Sequence, residues 1–226
     1  MDDKTWDKVH QPCPLCNSSD AVGVNTDGSA KCFICGEFMP DYDKACKGES
    51  MTTTTTTKLP DIVDEGSFNA LSDRRISQAT AKKYGVKVAL DLQGNVVKHF
   101  YPYYNGYELS ATKCRNVRNK DFFVSGTYND TGLFGQQLFK GGKYVTITEG
   151  ECDAMAAYEL LGSKWAVVSI KRGAQGAVKD VKESLEFFDE FENVIIAFDN
   201  DKAGKEASIK VARLFKPGKA RIVTLP

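Results

Sequence analysis

The sequence predicts an α/β fold, in which a parallel sheet flanked by helices is preceded by a mixed α+β subdomain and a small β module. Residues 144–226 alternate short apolar runs with helical segments, the pattern of parallel strands joined by helices. Residues 61–143 mix strand, turn and helix patterns, and residues 1–40 are rich in turns and hold two pairs of cysteines. Residues 41–60 separate these parts and predict a linker.

The composition limits both the compartment and the mode of binding. Equal numbers of basic and acidic residues give no net charge, so any contact with a polyanion must depend on local charge. The chain has no apolar run of membrane-spanning length and no signal peptide at its start, so we expect a cytosolic protein without a membrane partner. Its seven cysteines are an odd number in a reducing compartment, which argues against a disulfide framework.

The first module has the spacing of a zinc site. Two Cys-x-x-Cys turns, Cys13 with Cys16 and Cys32 with Cys35, would each direct two thiolates at one point and complete a tetrahedral four-sulfur shell. A module of about 40 residues buries too little apolar surface to fold unaided, so the metal would supply the folding energy. Redox dithiols or disulfides are the competing interpretation, which the spacing and the compartment disfavour.

The stretch between the cysteine pairs carries side chains that suit base recognition. Asp27, Ser29 and Lys31 lie there and are candidates for reading a DNA strand. A plain solvated hairpin accounts for the same residues equally well, because zinc ribbons bind DNA, RNA and proteins alike.

The segment 41–60 predicts a flexible linker. It contains six consecutive threonines at residues 52–57, followed by Pro60. Threonine favours strands, so an isolated strand competes with this interpretation. The run neither alternates nor has an apolar face, and we therefore prefer the linker.

Periodicity and turn residues place the elements of residues 61–143. A short helix is predicted at residues 76–84, ending near Gly85. Strands are predicted at residues 86–90, 96–104 and 107–112, with Asn105 and Gly106 as a hairpin turn between the last two.

Residues 144–226 repeat a strand–helix unit. Strands are predicted at residues 144–148, 165–170, 194–198 and 221–225, and helices at residues 152–161, 175–188 and 203–215. The run at residues 194–198 is apolar throughout, as expected for a strand buried on both faces. Sheets of this kind bind ligands at the carboxyl ends of their strands.

Acidic residues follow two of these strands. Glu149 follows the first strand, and Asp199 and Asp201 follow the third, so these carboxylates leave the sheet at the edge where ligands bind. Crowded carboxylates repel one another unless cations neutralise them, and Mg²⁺ suits the role because it takes few carboxylates and bridges to phosphates. We expect two Mg²⁺ ions here, which would activate an attacking 3′-hydroxyl and neutralise a leaving pyrophosphate.

Three of the acidic residues also have a structural explanation. Glu151 and Asp153 fall in the first turn of a helix, where the helix dipole favours acidic residues, so we rank them below Glu149 and Asp199 as magnesium ligands. Asp201 could cap the following helix. The sequence contains no Gly-x-x-x-x-Gly-Lys-Ser/Thr motif, which excludes a nucleotide-driven motor of that type in this chain.

The acidic motifs resemble those of a known family. Glu-Gly-Glu at residues 149–151 and Asp-x-Asp at residues 199–201 are similar to the Toprim motif of bacterial-type primases, topoisomerases and related nucleases. With the four-cysteine module and with Leu-Phe-Gly at residues 133–135, nearly the whole chain resembles the primase half of the bifunctional primase–helicases of T-seven-like phages. The resemblance implies a Toprim domain at 144–226, behind the basic subdomain of an RNA polymerase domain at 61–143 and a template-binding zinc ribbon.

The resemblance also implies an activity and partners. We expect a DNA primase, a nucleotidyltransferase that makes short RNA primers on single-stranded DNA from ribonucleoside triphosphates with Mg²⁺. The expected partners are a helicase domain beyond Pro226 and the replicative DNA polymerase, in the cytoplasm of an infected bacterial host.

A basic segment precedes the acidic motifs. Residues 113–122 hold Lys113, Arg115, Arg118 and Lys120. A solvated charged face is the usual explanation of such a run. The resemblance implies instead that the segment contacts the template and the incoming triphosphate, with Lys113 and Lys120 at the family's lysine positions and the two arginines on nucleotide phosphates or template.

The sequence departs from the family pattern at three places. Ser29 stands where the family has a histidine that helps to read the template trinucleotide, so we expect a different trinucleotide. Lys171 and Arg172 lie where the family has a histidine between glycines, and they are candidates for phosphate contact. The chain ends at Pro226, before a further acidic residue of the family, so it resembles a fragment of a longer protein with weakened metal binding.

Two other functions are compatible with parts of the sequence. A recombination mediator also joins a four-cysteine zinc finger to a Toprim domain, but without the long intervening stretch that carries the basic segment here. A Toprim nuclease would explain the carboxylates and leave the zinc ribbon unexplained. The primase interpretation accounts for all three features.

Overall fold

The chain forms two compact units, which comprise residues 1–56 and residues 57–226. The computed structural model describes residues 6–15, 18–33, 37–47 and 62–224. No helix within those ranges is long and apolar enough to cross a membrane.

The first unit is a small antiparallel sheet with the strand order β1-β2-β3-β4. The strands are β1 (Trp6–Gln11), β2 (Val22–Asn25), β3 (Ala30–Cys32) and β4 (Phe38–Met39). Its core consists of small buried side chains: Cys13, Ala21, Val22, Val24, Ala30, Cys32 and Met39. The predicted small β module is therefore confirmed, and its core is thin, as expected for a module that needs another source of stability.

Both predicted cysteine turns are closed by a backbone hydrogen bond. The Cys13 N–H donates to the Ser18 carbonyl at 2.7 Å, and the Cys32 N–H donates to the Glu37 carbonyl at 2.9 Å. In each case the donor belongs to the first cysteine of a predicted pair. Cys16 and Cys35 lie outside the described residues, so the four-sulfur zinc site remains a prediction.

The structure corrects the start of the predicted linker. Helix α1 (Tyr42–Lys47) occupies its first residues, and the Asp41 side chain accepts a hydrogen bond from the Lys44 N–H at 3.1 Å. The Tyr42 hydroxyl donates to the Pro12 carbonyl at 2.6 Å, and the ring packs on the core of the small sheet. A helix this short has too little periodicity to be found in the sequence. The threonine run lies outside the described residues.

The second unit begins with an antiparallel sheet with the strand order β5-β6-β7-β8. Its elements are helix α2 (Gln78–Tyr84) and the strands β5 (Lys87–Leu90), β6 (Val96–Asn105), β7 (Glu108–Asn116) and β8 (Phe122–Gly126). Helix α2 ends at Gly85 in the left-handed conformation, as predicted. Strand β7 is longer than predicted because the charged residues Lys113 and Arg115 hide its strand pattern, and β8, which contains no charged residue, was not predicted.

The predicted parallel sheet is confirmed, with the strand order β10-β9-β11-β12 and every neighbouring pair parallel. The strands are β9 (Gly142–Thr148), β10 (Ala166–Ser169), β11 (Phe191–Ala197) and β12 (Ala220–Ile222). The helices are α3 (Glu151–Leu160), α4 (Gly173–Glu183), α5 (Leu185–Asp189) and α6 (Lys202–Ala212). Buried side chains such as Val145, Val168, Val194 and Ile196 form the core between sheet and helices.

The helix predicted at residues 175–188 is divided in the structure. Helices α4 and α5 meet at Ser184, whose backbone is non-helical at φ −116° and ψ 17°. The Ser184 side chain is buried, and its hydroxyl donates to the Gln136 side chain at 3.1 Å. This contact with a distant segment is invisible in the local pattern, which explains the difference.

The Leu-Phe-Gly run at residues 133–135 joins the two sheets of the second unit. Phe134 exchanges two backbone hydrogen bonds with Ser169, at 3.1 and 3.2 Å, and so extends the parallel sheet beyond β10. The Tyr84 ring stacks on Phe134, and its hydroxyl donates to the Val167 carbonyl at 2.9 Å. Gly135 is in the left-handed region at φ +80°, and a Cβ there would lie 2.7 Å from the Tyr84 ring.

We predict that Gly135→Ala lowers the free energy of unfolding by about 2–4 kcal/mol, because it adds a steric clash with Tyr84 to the backbone strain. Gly94→Ala is the matched control, since Gly94 has φ +83° with nothing within 4 Å of a Cβ. The control should lose only the strain, about 1–2 kcal/mol. Equal losses in urea unfolding would show that the contact between residue 135 and Tyr84 does not support the joint.

Candidate active site

The acidic residues meet at the carboxyl ends of β9 and β11. These strands are parallel neighbours whose last residues, Thr148 and Ala197, pair with each other. Glu149 therefore leaves the sheet beside Phe198 and Asp199, and α3 and α6 begin immediately afterwards. Glu149, Asp199 and Asp201 lie close enough together that burial and then the negative charges of the two aspartates raise the pKa of Glu149.

Glu149 is held by the chain and is incompletely satisfied. Its Oε1 accepts a hydrogen bond from the Ala174 N–H at 3.2 Å, at the start of α4. Gly173 makes this possible, because its φ of +66° turns the chain sharply after β10. The Oε2 atom is buried without a hydrogen-bond partner. Burial raises the pKa of Glu149, and the neighbouring aspartates raise it further. A buried carboxylate oxygen without a donor is costly and needs a specific explanation.

Asp201 and Gly204 fix the chain around Asp199. Asp201 is the N-cap of α6, and its Oδ1 accepts from the Gly204 N–H at 2.7 Å, which is the capping role proposed for it. Gly204 packs so closely on the Asp199 backbone that a Cβ would collide with the Asp199 carbonyl oxygen. The Asp199 side chain is exposed at this edge. The cap and the close contact together hold Asp199 beside Glu149.

Asp153 belongs to the same cluster, although it was ranked lower. Burial raises its pKa, and the charges of Asp199 and Glu151 raise it further. Its carboxylate folds back over Gly150, where a Cβ would lie 2.6 Å from Oδ2. A larger residue at position 150 would therefore displace the Asp153 carboxylate from this position. The four clustered acids are Glu149, Asp153, Asp199 and Asp201.

Glu151 points away from that cluster, towards the antiparallel sheet. Consecutive helical residues are rotated by about 100°, so residues two apart lie on opposite faces of α3. The Oε1 atom of Glu151 accepts from the Tyr103 hydroxyl at 2.6 Å and from the Lys113 ammonium at 2.7 Å. The Glu151 carboxylate is 8% exposed, so this ion pair is largely protected from solvent. Glu151 therefore positions Lys113 and is unsuited to bind a metal directly.

The clustered acids suit a divalent cation. The partnerless Glu149 oxygen is a ready ligand, and a positive ion would relieve the repulsion that adds to burial in raising the pKa of Glu149 and Asp153. Within the described ranges, no three carboxylate, thiol or imidazole groups converge on one point. An ion bound here would therefore take one or two carboxylates and complete its shell with water and phosphate, as Mg²⁺ commonly does.

The basic segment is divided between a strand and a turn. Lys113 and Arg115 lie on β7, where Arg115 lowers the pKa of the buried His99, after the larger effect of burial. Arg118 and Lys120 are exposed in the turn before β8, and Lys120 is in the left-handed region at φ 62°. Two cations of the segment therefore lie on β7, and the other two lie in the turn that leads to the edge strand β8.

Lys171 and Arg172, considered for phosphate contact, are occupied within the protein. Lys171 is buried and donates to the carbonyls of Asn129 and Thr131, at 3.2 and 2.5 Å. Arg172 donates to the buried Asp180 carboxylate at 2.5 Å. The expectation of phosphate contact is therefore wrong for this conformation, because both cations hold the loop before Thr131 to the start of α4.

Of the residues proposed to read DNA, Ser29 is corrected by the structure. Ser29 is 6% exposed, and its hydroxyl donates to Asp27 Oδ1 at 2.6 Å while accepting from the Asn25 amide at 2.9 Å. It shapes the hairpin between β2 and β3 and presents no group to a base. Asp27 and Lys31 are exposed at this hairpin and remain candidates.

Sequence reasoning missed the tyrosines that connect the sheet to the site. His99, Tyr101 and Tyr103 alternate along β6 and face α3. The His99 ring forms hydrogen bonds with the Asp73 carboxylate and with the Tyr101 hydroxyl. The Tyr101 hydroxyl in turn lies 3.1 Å from Cys152 Sγ. Their spacing of two residues along the strand gives them a shared face, but the polar partners of these side chains are distant in sequence.

We predict that Lys113→Met lowers the free energy of unfolding by about 3 kcal/mol, because it leaves the Glu151 charge buried without its cation. Glu151→Gln alone and the double variant complete a double-mutant cycle. The double variant should lose at least about 1 kcal/mol less than the sum of the single losses. Additive losses in chemical denaturation would contradict the buried pair.

Comparison with known proteins agrees with this geometry. Residues 146–226 match the model of the Toprim-like family. The DNA helicase/primase of Enterobacteria phage T3 is 34% identical over 224 residues, covering 96% of this chain. The chain spans 39% of the length of that curated relative.

Solved structures extend the comparison to the fold. The primase fragment of the bacteriophage T7 primase-helicase protein is 32% identical with a TM-score of 0.68, covering 96% of this chain and 90% of that one. The structure of T7 lagging-strand DNA polymerase interacting with primase domains of two gp4 subunits, bound to an RNA/DNA hybrid and dTTP, matches at 36% identity and TM-score 0.64, covering 71% and 81%. The DnaG catalytic core, at 15% identity and TM-score 0.53, shares the fold. The chain therefore belongs to the family of the phage primases, of which the primase fragment of the T7 primase-helicase protein is one solved example.

Proposed function

We propose that this chain is a DNA primase, which joins ribonucleotides into short RNA primers on a single-stranded DNA template with Mg²⁺. The observation that carries the proposal is the buried, partnerless oxygen of Glu149 among clustered carboxylates at the ligand-binding edge of a parallel sheet. The neighbouring Lys113 and Arg115 add the positive charge that phosphates need. Membership of the phage primase family supports the same activity.

Each site residue has a defined role in this proposal. Bound Mg²⁺, in two ions, would promote attack of the primer 3′-hydroxyl and neutralise the leaving pyrophosphate. Glu149, Asp199 and Asp201 would hold the metal, with Asp153 close enough to assist through water. Lys113 has two further N–H donors beside the one given to Glu151, and these would bind triphosphate oxygens.

The rest of the basic segment would contact the nucleic acid. Arg115, Arg118 and Lys120 would bind phosphates of the template or of the incoming ribonucleoside triphosphate. Arg118 and Lys120 are exposed, and exposed basic side chains of this kind neutralise phosphates without selecting bases.

The first unit would be a zinc ribbon that contacts the template. Cys13 and Cys32 are buried in its core, and both cysteine turns are closed by similar backbone bonds. Cys16 and Cys35 would complete the four-sulfur shell. Asp27 and Lys31 would contact bases at the hairpin, while Ser29 supports them from inside.

The partners follow from the relatives. The T3 relative is a DNA helicase/primase of which this chain spans 39%, and we propose a helicase portion in the full protein. The T7 structure contains primase domains interacting with the lagging-strand DNA polymerase, and we propose the replicative polymerase as a partner. With these partners, the protein would act in the cytoplasm of an infected bacterial host.

We predict that Glu149→Gln lowers the rate of primer synthesis by at least about a hundredfold while leaving the protein folded, because it removes a metal ligand together with a buried charge. The assay supplies single-stranded templates of all trinucleotides, labelled ribonucleotides and Mg²⁺. Asp189→Asn is the control, since Asp189 is an exposed acid paired with Lys219 outside the site. Mg²⁺ should raise the melting temperature of the wild-type chain and of the control more than that of Glu149→Gln.

The same assay separates the rival functions. Cleavage of the template in place of RNA synthesis would identify a nuclease. DNA binding with neither product, in the full-length protein as well as in this chain, would support a recombination mediator and contradict the primase proposal.

We predict one zinc ion per chain, and loss of structure in the first unit when a chelator removes it, because zinc coordination supplies folding free energy. Circular dichroism and metal analysis measure both. The second unit should keep its melting transition, which serves as an internal control. If the first unit kept its melting transition in zinc-free protein, the prediction of a zinc ribbon would be contradicted.

A further inference from the structure

Two phenylalanines are exposed on the edge strand of the antiparallel sheet. Phe122 is 66% exposed and Phe123 is 54% exposed, both on β8, which ends the strand order β5-β6-β7-β8. Exposed aromatic rings on an edge strand favour unwanted pairing with other chains, so natural proteins usually avoid them. Two such rings in sequence therefore need an explanation.

The two rings face opposite sides of the sheet and have different neighbours. Phe122 is directly opposite Arg115 on β7, and the Lys113 ammonium lies 5.1 Å from the centre of its ring. Phe123 is opposite Cys114, a buried thiol on the other face. Phe122 thus combines an open aromatic ring with two cations, and Phe123 does not.

The position of Phe122 connects it to the candidate active site. Lys113, which contacts the Phe122 ring, also donates to Glu151 at the start of α3. The clustered carboxylates begin on the opposite face of that same helical turn, at Asp153. The Phe122 ring therefore contacts Lys113, a residue that we place in the candidate active site.

We propose that Phe122 is a base-stacking residue for the single-stranded DNA template, with Lys113 and Arg115 binding the flanking phosphates. An aromatic ring beside cations is the arrangement by which proteins hold single strands, because the ring stacks on a base and the cations neutralise the backbone. The inference deepens the proposed primase function and rests on it for the identity of the strand.

The spread of the cations favours a strand over a single nucleotide. Lys113 and Arg115 are about 7 Å apart along β7, at roughly 3.3 Å per residue, and Arg118 and Lys120 continue the positive charge into the turn before β8. A row of four cations that continues beyond the strand can contact successive phosphates of a single strand. The edge position of β8 also leaves room for a chain to pass across the ring.

A purely structural role for Phe122 makes a different prediction. The ring could serve only as an apolar cover for the Lys113 side chain, and leucine would then replace it without loss. Stacking needs a flat aromatic face, so leucine would fail while tyrosine and tryptophan would restore binding.

The test compares Phe122→Leu with Phe123→Leu, its neighbour on the opposite face, in the full chain. Fluorescence anisotropy measures binding to an oligothymidylate and to an abasic strand of the same length and charge. Phe122→Leu should weaken binding to the oligothymidylate by about tenfold to a hundredfold and leave binding to the abasic strand unchanged. Phe123→Leu should bind both strands as the wild type does, and Phe122→Tyr should restore base-dependent binding.

A second measurement detects the contact between Phe122 and the DNA even where other residues supply most of the binding free energy. An oligonucleotide containing 5-iododeoxyuridine, crosslinked by light and mapped by mass spectrometry, should label the peptide that contains Phe122. Unchanged base-dependent binding in Phe122→Leu, together with no crosslink in that peptide, would overturn the proposal. So would equal losses on both strands, or a higher KM for ribonucleotides with unchanged DNA binding.

The proposed function can fail separately. If the wild-type chain makes no RNA while its binding still depends on Phe122 and on the presence of bases, the stacking role stands and the primase assignment falls. If the wild-type chain makes RNA and Phe122→Leu binds DNA like the wild type, the primase assignment stands and the stacking role falls.

Discussion

The second unit depends on one buried carboxylate between two sheets that the chain builds separately. Glu151 starts α3 on the parallel sheet, and it accepts hydrogen bonds from Tyr103 and Lys113 on the antiparallel sheet. Charge-assisted hydrogen bonds protected from solvent are stronger and more directional than those at a surface. The contact therefore fixes the orientation of the basic strand relative to the acidic edge, and the Phe134–Ser169 pairing fixes the opposite side of the joint.

The two glutamates of the Glu-Gly-Glu run have different roles because they point to different sides of the start of α3. Glu149 lies before α3 and joins the acidic cluster, whereas Glu151 turns towards Lys113. Asp153, two residues further, returns to the cluster. Burial raises the pKa of Glu149 and Asp153, and repulsion within the cluster raises it further. A bound cation would convert that repulsion into attraction. The acidic cluster and the Glu151–Lys113 ion pair therefore lie on opposite faces of the first turn of α3.

A chain without net charge can bind a polyanion if its charges are sorted. Lys113 and Arg115 lie on β7, and Arg118 and Lys120 lie in the turn before β8, while Lys171 and Arg172 are hydrogen-bonded inside the protein. Burial lowers the pKa of Lys171, and its carbonyl partners explain why it is retained there. The distinction between the two basic groups depends on their partners, which sequence charge counts do not contain.

Local sequence determined the elements whose cause is local. The alternation of apolar runs and helices specified the parallel sheet, Gly85 specified the end of α2, and the strand-following positions of Glu149 and Asp199 specified the acidic edge. Tertiary structure alone decided the break at Ser184, the strand β8, the enclosure of Ser29 and the pairing of Glu151 with Lys113. Each of these depends on a partner distant in sequence, and periodicity carries information only about neighbours along the chain. The sequence therefore located the candidate site, and packing decided which of its charged residues face one another.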